Sequence, residues 1–122
     1  MTGSNSFTEL DFSQSIVHET EGVRYIPIVE ETELSVSYVF LESEKFVPYH
    51  SHEKTKHVYH FSRGMGEIIL DGERFKIEAP SVIPIPEGVA HRVKNIGSEM
   101  LEFLVIEIPS DDEDYIEEKI KI

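Results

Sequence analysis

The 122-residue chain contains no cysteine, which excludes a disulfide framework, a thiolate nucleophile and a thiolate metal site. Any metal must then be held by histidine and carboxylate. Basic residues are scarce: 11 Lys and Arg stand against 24 Asp and Glu, giving a net charge of −13 and a pI near 4.7. Nucleic-acid backbones need a basic footprint, so no nucleic-acid partner is expected. No apolar run approaches the roughly 20 residues of a membrane span, and no basic-then-apolar segment opens the chain. A soluble, cytoplasmic protein with no membrane partner is the expectation. Helical stretches are missing before Pro109, which argues against an α/β fold. No Ser-His-Asp grouping, phosphate-cradling glycine loop or fused helix-turn-helix stands out.

What is present is β pattern. A length of 122 residues with 39% hydrophobic composition suits one globular domain. From Val23 onward come short runs rich in Val, Ile, Tyr and Phe: VRYIPIV, LSVSYVFLES, KFVPYH, HVYHFS, GEIILDG, RFKIEA, SVIPI, HRVKN and MLEFLVIEI. Turn residues separate them at regular intervals, as in a sandwich or barrel. Asp71-Gly72 between EIIL and ERFKI signals a type I′ hairpin. Pro80, Pro84 and Pro86 restrict SVIPIPEG to a sheet edge or an interrupted strand. The organisation read from this is an N-terminal arm over residues 1–21, a β domain over 22–109 and an acidic segment over 110–122, read as a short helix or a tail. Ile116 and Ile120 would share a helical face there.

The chemistry concentrates in PYHSHEKTKHVYHFSRG. His50 and His52, at i and i+2, face one side if the segment is extended. His57 follows a short polar connection and opens the next apolar run, and His91 arrives in PEGVAHRVKN. Neutral imidazole is the commonest ligand for zinc, copper, iron and nickel, and three or four converging histidines suffice for a site. His60 is an odd number of residues from His57 and faces away on a regular strand; His18 reads as a surface histidine of the arm.

These residues resemble the cupin superfamily, whose first motif is G-x5-H-x-H-x3-4-E-x6-G and whose second is G-x5-P-x-G-x2-H-x3-N. His50, His52, His57 and Gly64 follow the spacing of the first, and Pro86, Gly88, His91 and Asn95 match the second. The resemblance spans roughly Glu44 to Ile108. It implies an all-β double-stranded β-helix, or jelly-roll barrel, holding one divalent transition metal per chain (Fe, Mn, Zn or Ni) on His50, His52, His57 and His91. It departs from the pattern at three places: Glu44 and Pro80 stand where the motifs open on glycine, and His57 stands where a glutamate is usual. Four neutral imidazoles would leave the ion at its full +2 charge, a stronger Lewis acid. His57 is read as the fourth ligand or as a histidine beside a three-His site.

Alternation nominates the pocket wall as Phe46, Pro48, Tyr59, Phe61, Val93 and Phe103, suited to a small, mostly apolar or aromatic ligand. Tyr59, the one obvious hydroxyl, is the candidate catalytic base. Three functions are compatible with the resemblance. The first is an Fe-dependent dioxygenase of an enolisable or aromatic substrate. The second is a non-redox lyase, isomerase or cyclase, favoured if an interior carboxylate such as Glu67 reaches the metal. The third is a metal-dependent small-ligand binding module. Small cupins commonly pair, and the arm and sheet edges need covering, so a homodimer using the first 45 residues and the face of His60 is expected.

Overall fold

Two antiparallel sheets carry the alternation of the sequence in the computed structural model of the chain, which describes residues 18–110 and 114–118. The strands are β1 (His18–Thr20), β2 (Val23–Glu30), β3 (Ser35–Leu41), β4 (His50–Ser51), β5 (Lys56–Arg63), β6 (Met65–Leu70), β7 (Glu73–Glu78), β8 (Ser81–Ile85), β9 (His91–Asn95), β10 (Leu101–Ile108) and β11 (Ile116–Glu117). One sheet has the order β1-β2-β3-β10-β5-β8 and the other β11-β4-β9-β6-β7. No helix occurs among the described residues. This is the expected all-β jelly roll, and β8, which contains Pro84 and is flanked by Pro80 and Pro86, lies at a sheet edge.

The hydrophobic core fills the space between the sheets. Val39, Leu41, Phe61, Leu101 and Phe103 enter from the larger sheet, Ile68, Ile77 and Val93 from the smaller one. Strand β10 sets the register because it pairs with both β3 and β5. Its inward residues form successive rows across the sheet: Phe103 beside Val39 and Phe61, Val105 beside Ser37 and Tyr59, Glu107 beside Ser35 and His57. The rows thus pass from a dry aromatic core to a polar end.

Turn chemistry explains several motif positions. Asp71 and Gly72 both hold positive φ (45° and 86°), as a two-residue type I′ hairpin requires, and join β6 to β7. Glu44 adopts φ 72° where the motif has glycine, a conformation that costs a non-glycine residue roughly 1–2 kcal/mol. Asn95, the last residue of the second motif, is fully buried and structural. Its Nδ2 donates to the carbonyls of Leu41 (2.8 Å) and Glu99 (2.7 Å), and its Oδ1 accepts the Gly97 N–H.

The C-terminal segment differs from the helix or tail expected of it. Ile116 and Glu117 form β11, which pairs antiparallel with β4 and covers its otherwise open backbone edge. The acidic signal is spent elsewhere: Asp114 accepts backbone N–H groups of Glu53 and Lys54 rather than capping a helix. Ile120 and residues 1–17 of the arm lie outside the described residues; the arm's described end, His18–Thr20, pairs with β2.

Gly64 supplies a direct test of this packing. It holds φ 98°, and a Cβ there would sit 2.7 Å from the Met100 carbonyl oxygen and 3.0 Å from the Leu101 Cα. Both neighbours are backbone and cannot step aside. Gly64→Ala is expected to lower Tm by roughly 5–10 °C in a thermal melt. Gly72→Ala, with nothing within 4 Å, should lower it less. Equal, small losses would contradict the close approach of β10 to the turn after β5.

Candidate metal centre

The histidine cluster is built from two strand ends and a loop. The pairing of β4 with β9 places His50 directly opposite His91, with ring centroids 4.2 Å apart. His52 lies two residues beyond His50, and the two rings approach to 4.8 Å. The two motifs are tied together by a backbone bond from the Gly88 N–H to the His52 carbonyl (2.6 Å). As a result, one ligand nitrogen from each of His50, His52 and His91 lies within 4.8 Å of the others, a spacing that a single cation could bridge.

Each of these rings has its Nδ1 on a backbone carbonyl: His50 on Pro48 (2.6 Å), His91 on Val89 (2.9 Å) and His52 on Asp114. A carbonyl only accepts, so Nδ1 must carry the proton in all three, which leaves the Nε2 lone pairs bare. The Nε2 atoms of His52 and His91 are buried without a partner. Burial lowers the His50 pKa to about 4 and the His91 pKa to about 3, and lowers that of His52 as well. Neutral, desolvated imidazoles with unpaired lone pairs are a donor set for a divalent transition metal.

His57 joins the cluster but not the group of three. Its ring lies 4.2 Å from that of His52 and 5.6 Å from that of His91, while its Nε2 lies 3.5 Å from the Glu107 carboxylate. The hydrogen bond to His57 holds the Glu107 pKa below the usual carboxylate range. His60 faces the opposite side of β5 and lies outside the cluster, in agreement with its parity.

A cavity of about 380 Å³ opens on the cluster. Of the expected wall, Pro48, Tyr59 and Phe103 line it, together with Tyr25, Val47, Val105, Glu107 and Tyr115. Three expectations need correction. Phe61 and Val93 share the inward face, yet they sit in the rows beneath the cavity and are almost wholly buried in the core. Phe46 is half exposed on the outside, where the Arg92 guanidinium stacks 4.8 Å from its ring. Strand alternation does not carry from His50 back to Phe46, because β4 begins at His50. Tyr59 lines the cavity, but burial pushes its hydroxyl pKa up, so it is a neutral hydrogen-bonding group rather than a base.

The interior carboxylate is Glu107, not Glu67. Glu67 is engaged by Arg74 at 2.9 Å and Arg92 at 4.0 Å on the outer side of the smaller sheet. Glu107 had a sequence signal: it continues the i, i+2 series Leu101, Phe103, Val105. Tyr25 had the same kind of signal, since it follows Val23 at i, i+2 on β2 and pairs with Val39; Tyr115 carried none, since it reaches the cavity from the segment just before β11. None of the described residues lining the cavity is Lys or Arg.

Comparison with known proteins agrees with this architecture. Residues 37–107 match the model of the cupin domain. An uncharacterized protein of Aquifex aeolicus is 31% identical over 109 residues, covering 85% of this chain and 87% of its own. KdgF from Halomonas sp. superposes with a TM-score of 0.78 at 15% identity, covering 88% of this chain and 98% of that one. Oxalate decarboxylase of Bacillus subtilis, which has Mn(II) centres, superposes with a TM-score of 0.75 at 21% identity over 87% of this chain and 30% of its own. With both histidine motifs placed on facing strand ends and the family model covering most of the barrel, the chain belongs to the cupin family.

Proposed function

We propose that this cupin is a metal-dependent enzyme of non-redox proton-transfer chemistry, an isomerase or lyase acting on a small carbonyl compound. The observation that carries this reading is Glu107, an interior carboxylate one strand from His57 and open to the cavity that the histidines face. His50, His52 and His91 would hold the cation, with His57, at the motif position of the usual glutamate, as the fourth donor. The cation would supply Lewis acidity, drawing electron density from a substrate oxygen and acidifying the adjacent C–H. Glu107 would take that proton and return it at another carbon, or leave a β substituent free to depart. Positioned carboxylates of this kind contribute roughly 10²–10⁴-fold. Tyr59 would donate a hydrogen bond to the substrate, and Phe103, Val47 and Val105 would pack its apolar body.

Charge narrows the substrate. With Glu107 in the wall and no Lys or Arg among the described lining residues, a small dianion such as oxalate would have only the cation to balance it. A neutral or singly charged molecule with an apolar body and an oxygen for the cation suits the site better. A second reading, an Fe-dependent dioxygenase, draws on the apolar aromatic wall, which suits an enolisable or aromatic substrate.

The test is metal analysis of the purified protein followed by NMR in D₂O with a panel of enolisable carbonyl compounds, alongside an oxygen electrode. The expected result is about one divalent metal per chain and solvent deuterium entering a substrate without oxygen uptake. Glu107→Gln should lose roughly 10²–10⁴-fold in exchange while keeping its metal. His57→Ala should lose metal and His60→Ala should not. Oxygen uptake at iron would replace this reading with the dioxygenase, and full exchange in Glu107→Gln would remove Glu107 as the base.

A further inference from the structure

We infer that the segment Asp114–Glu118 is a working part of the metal centre, with Asp114 as a positioning residue for His52, so that cation binding and docking of this segment are one coupled equilibrium. The inference rests on the metal reading of the histidine cluster. Its starting point is an asymmetry among the three ligands. His50 and His91 each place Nδ1 on a carbonyl two residues earlier in their own strand. His52 places its Nδ1 on the carbonyl of Asp114, 62 residues away. The orientation of one ligand therefore depends on a distant piece of chain.

Asp114 is fastened to the same loop by its side chain. Its two carboxylate oxygens accept the N–H groups of Glu53 (2.8 Å) and Lys54 (2.7 Å), within the connection that leads from His52 to His57. The next residue, Tyr115, stacks on His50 at 4.9 Å and 20° and walls the cavity. Beyond it, β11 pairs with β4 at Ser51 and His50, the Glu118 N–H donates to the Tyr49 carbonyl (2.8 Å), and the Ser51 hydroxyl donates to Glu118 (3.0 Å). The segment thus touches both residues of the His-x-His pair and the loop between them and His57.

The segment is weakly held apart from these bonds. Tyr115 and Ile116 remain 46% and 41% exposed, and the ladder with β4 is two residues long. Thinly buried segments with few ladder bonds open at low free energy. When this one opens, His52 loses the acceptor that fixes its Nδ1 proton and ring plane. A cation that needs Nε2 of His52 bare and aimed must therefore favour the docked state, and by reciprocity docking tightens the cation.

The test uses full-length, metal-free protein with Ni(II) and Mn(II) as probes. Calorimetric titration of wild type, Asp114→Ala, Asp114→Asn and Tyr115→Ala gives affinities, and amide hydrogen exchange of wild type with and without metal reports on residues 115–118. Outer hydrogen-bond partners of ligating histidines are worth 10–100-fold in affinity. Asp114→Ala is expected to weaken binding by that factor, with Asp114→Asn recovering part of it, and metal should slow exchange across 115–118. Should a variant fail to fold, the exchange experiment on wild type stands alone. Wild type that binds metal with unchanged exchange at 115–118, or Asp114→Ala with full affinity, would overturn the coupling and leave the metal centre intact. Wild type that binds neither ion would overturn the metal reading itself.

Discussion

Imidazoles tied by Nδ1 to backbone carbonyls, with Nε2 left bare in a desolvated pocket, are unfavourable without a counterpart. A buried polar atom deprived of a partner costs about 1–3 kcal/mol, and the Nε2 atoms of His52 and His91 are both in that state. The fold ties Nδ1 of three rings, His50, His52 and His91, to backbone carbonyls, and their ligand atoms lie within 4.8 Å of one another. Single histidines buried by accident find acceptors or donors of their own. Three rings whose ligand atoms converge in this way could be satisfied together by one cation. Burial also keeps these rings neutral well below their ordinary pKa, so protons do not compete for the lone pairs near neutral pH.

Rigid scaffolding makes this possible. Strand β10 lies between β3 and β5, and its inward residues change from leucine and phenylalanine to valine and then glutamate along the strand. One end of the barrel is packed solid by Phe61 and Phe103; the other opens onto the histidines. Because Glu107 is placed by the same ladder that places Tyr59 and His57, its distance from the cluster is fixed by strand register rather than by a loop. Sites held on strands in this way are more closely defined than sites on loops. The part of the centre that does depend on a loose element is His52, whose partner Asp114 arrives from the far end of the chain.

The fold and the histidine cluster were legible in the sequence for physical reasons. Period-two alternation, the Asp71-Gly72 hairpin and the proline-rich edge are local signals, and local signals survive folding. The spacing of His50, His52 and His91 was equally readable, since residues at i and i+2 share a strand face and Gly88 delivers His91 beside them. Glu107 was readable in principle, by extending the Leu101, Phe103, Val105 series one step. Phe46 was misplaced because alternation was carried from His50 back through the irregular stretch before β4, where the backbone does not follow a strand. Phe61 and Val93 were assigned the right face at the wrong depth, and depth depends on how the two sheets pack. Tyr115 and Asp114 were beyond reach: an acidic run after a proline reads equally as helix or tail, and only the open edge of β4 determines that it becomes a strand.

The most direct measurement is anomalous scattering at the nickel edge from crystals of protein loaded with Ni(II). A single peak per chain is expected, about 2.0–2.3 Å from the Nε2 atoms of His50, His52 and His91. No peak, or one remote from these three nitrogens, would contradict a shared cation and with it the functional account of the cavity.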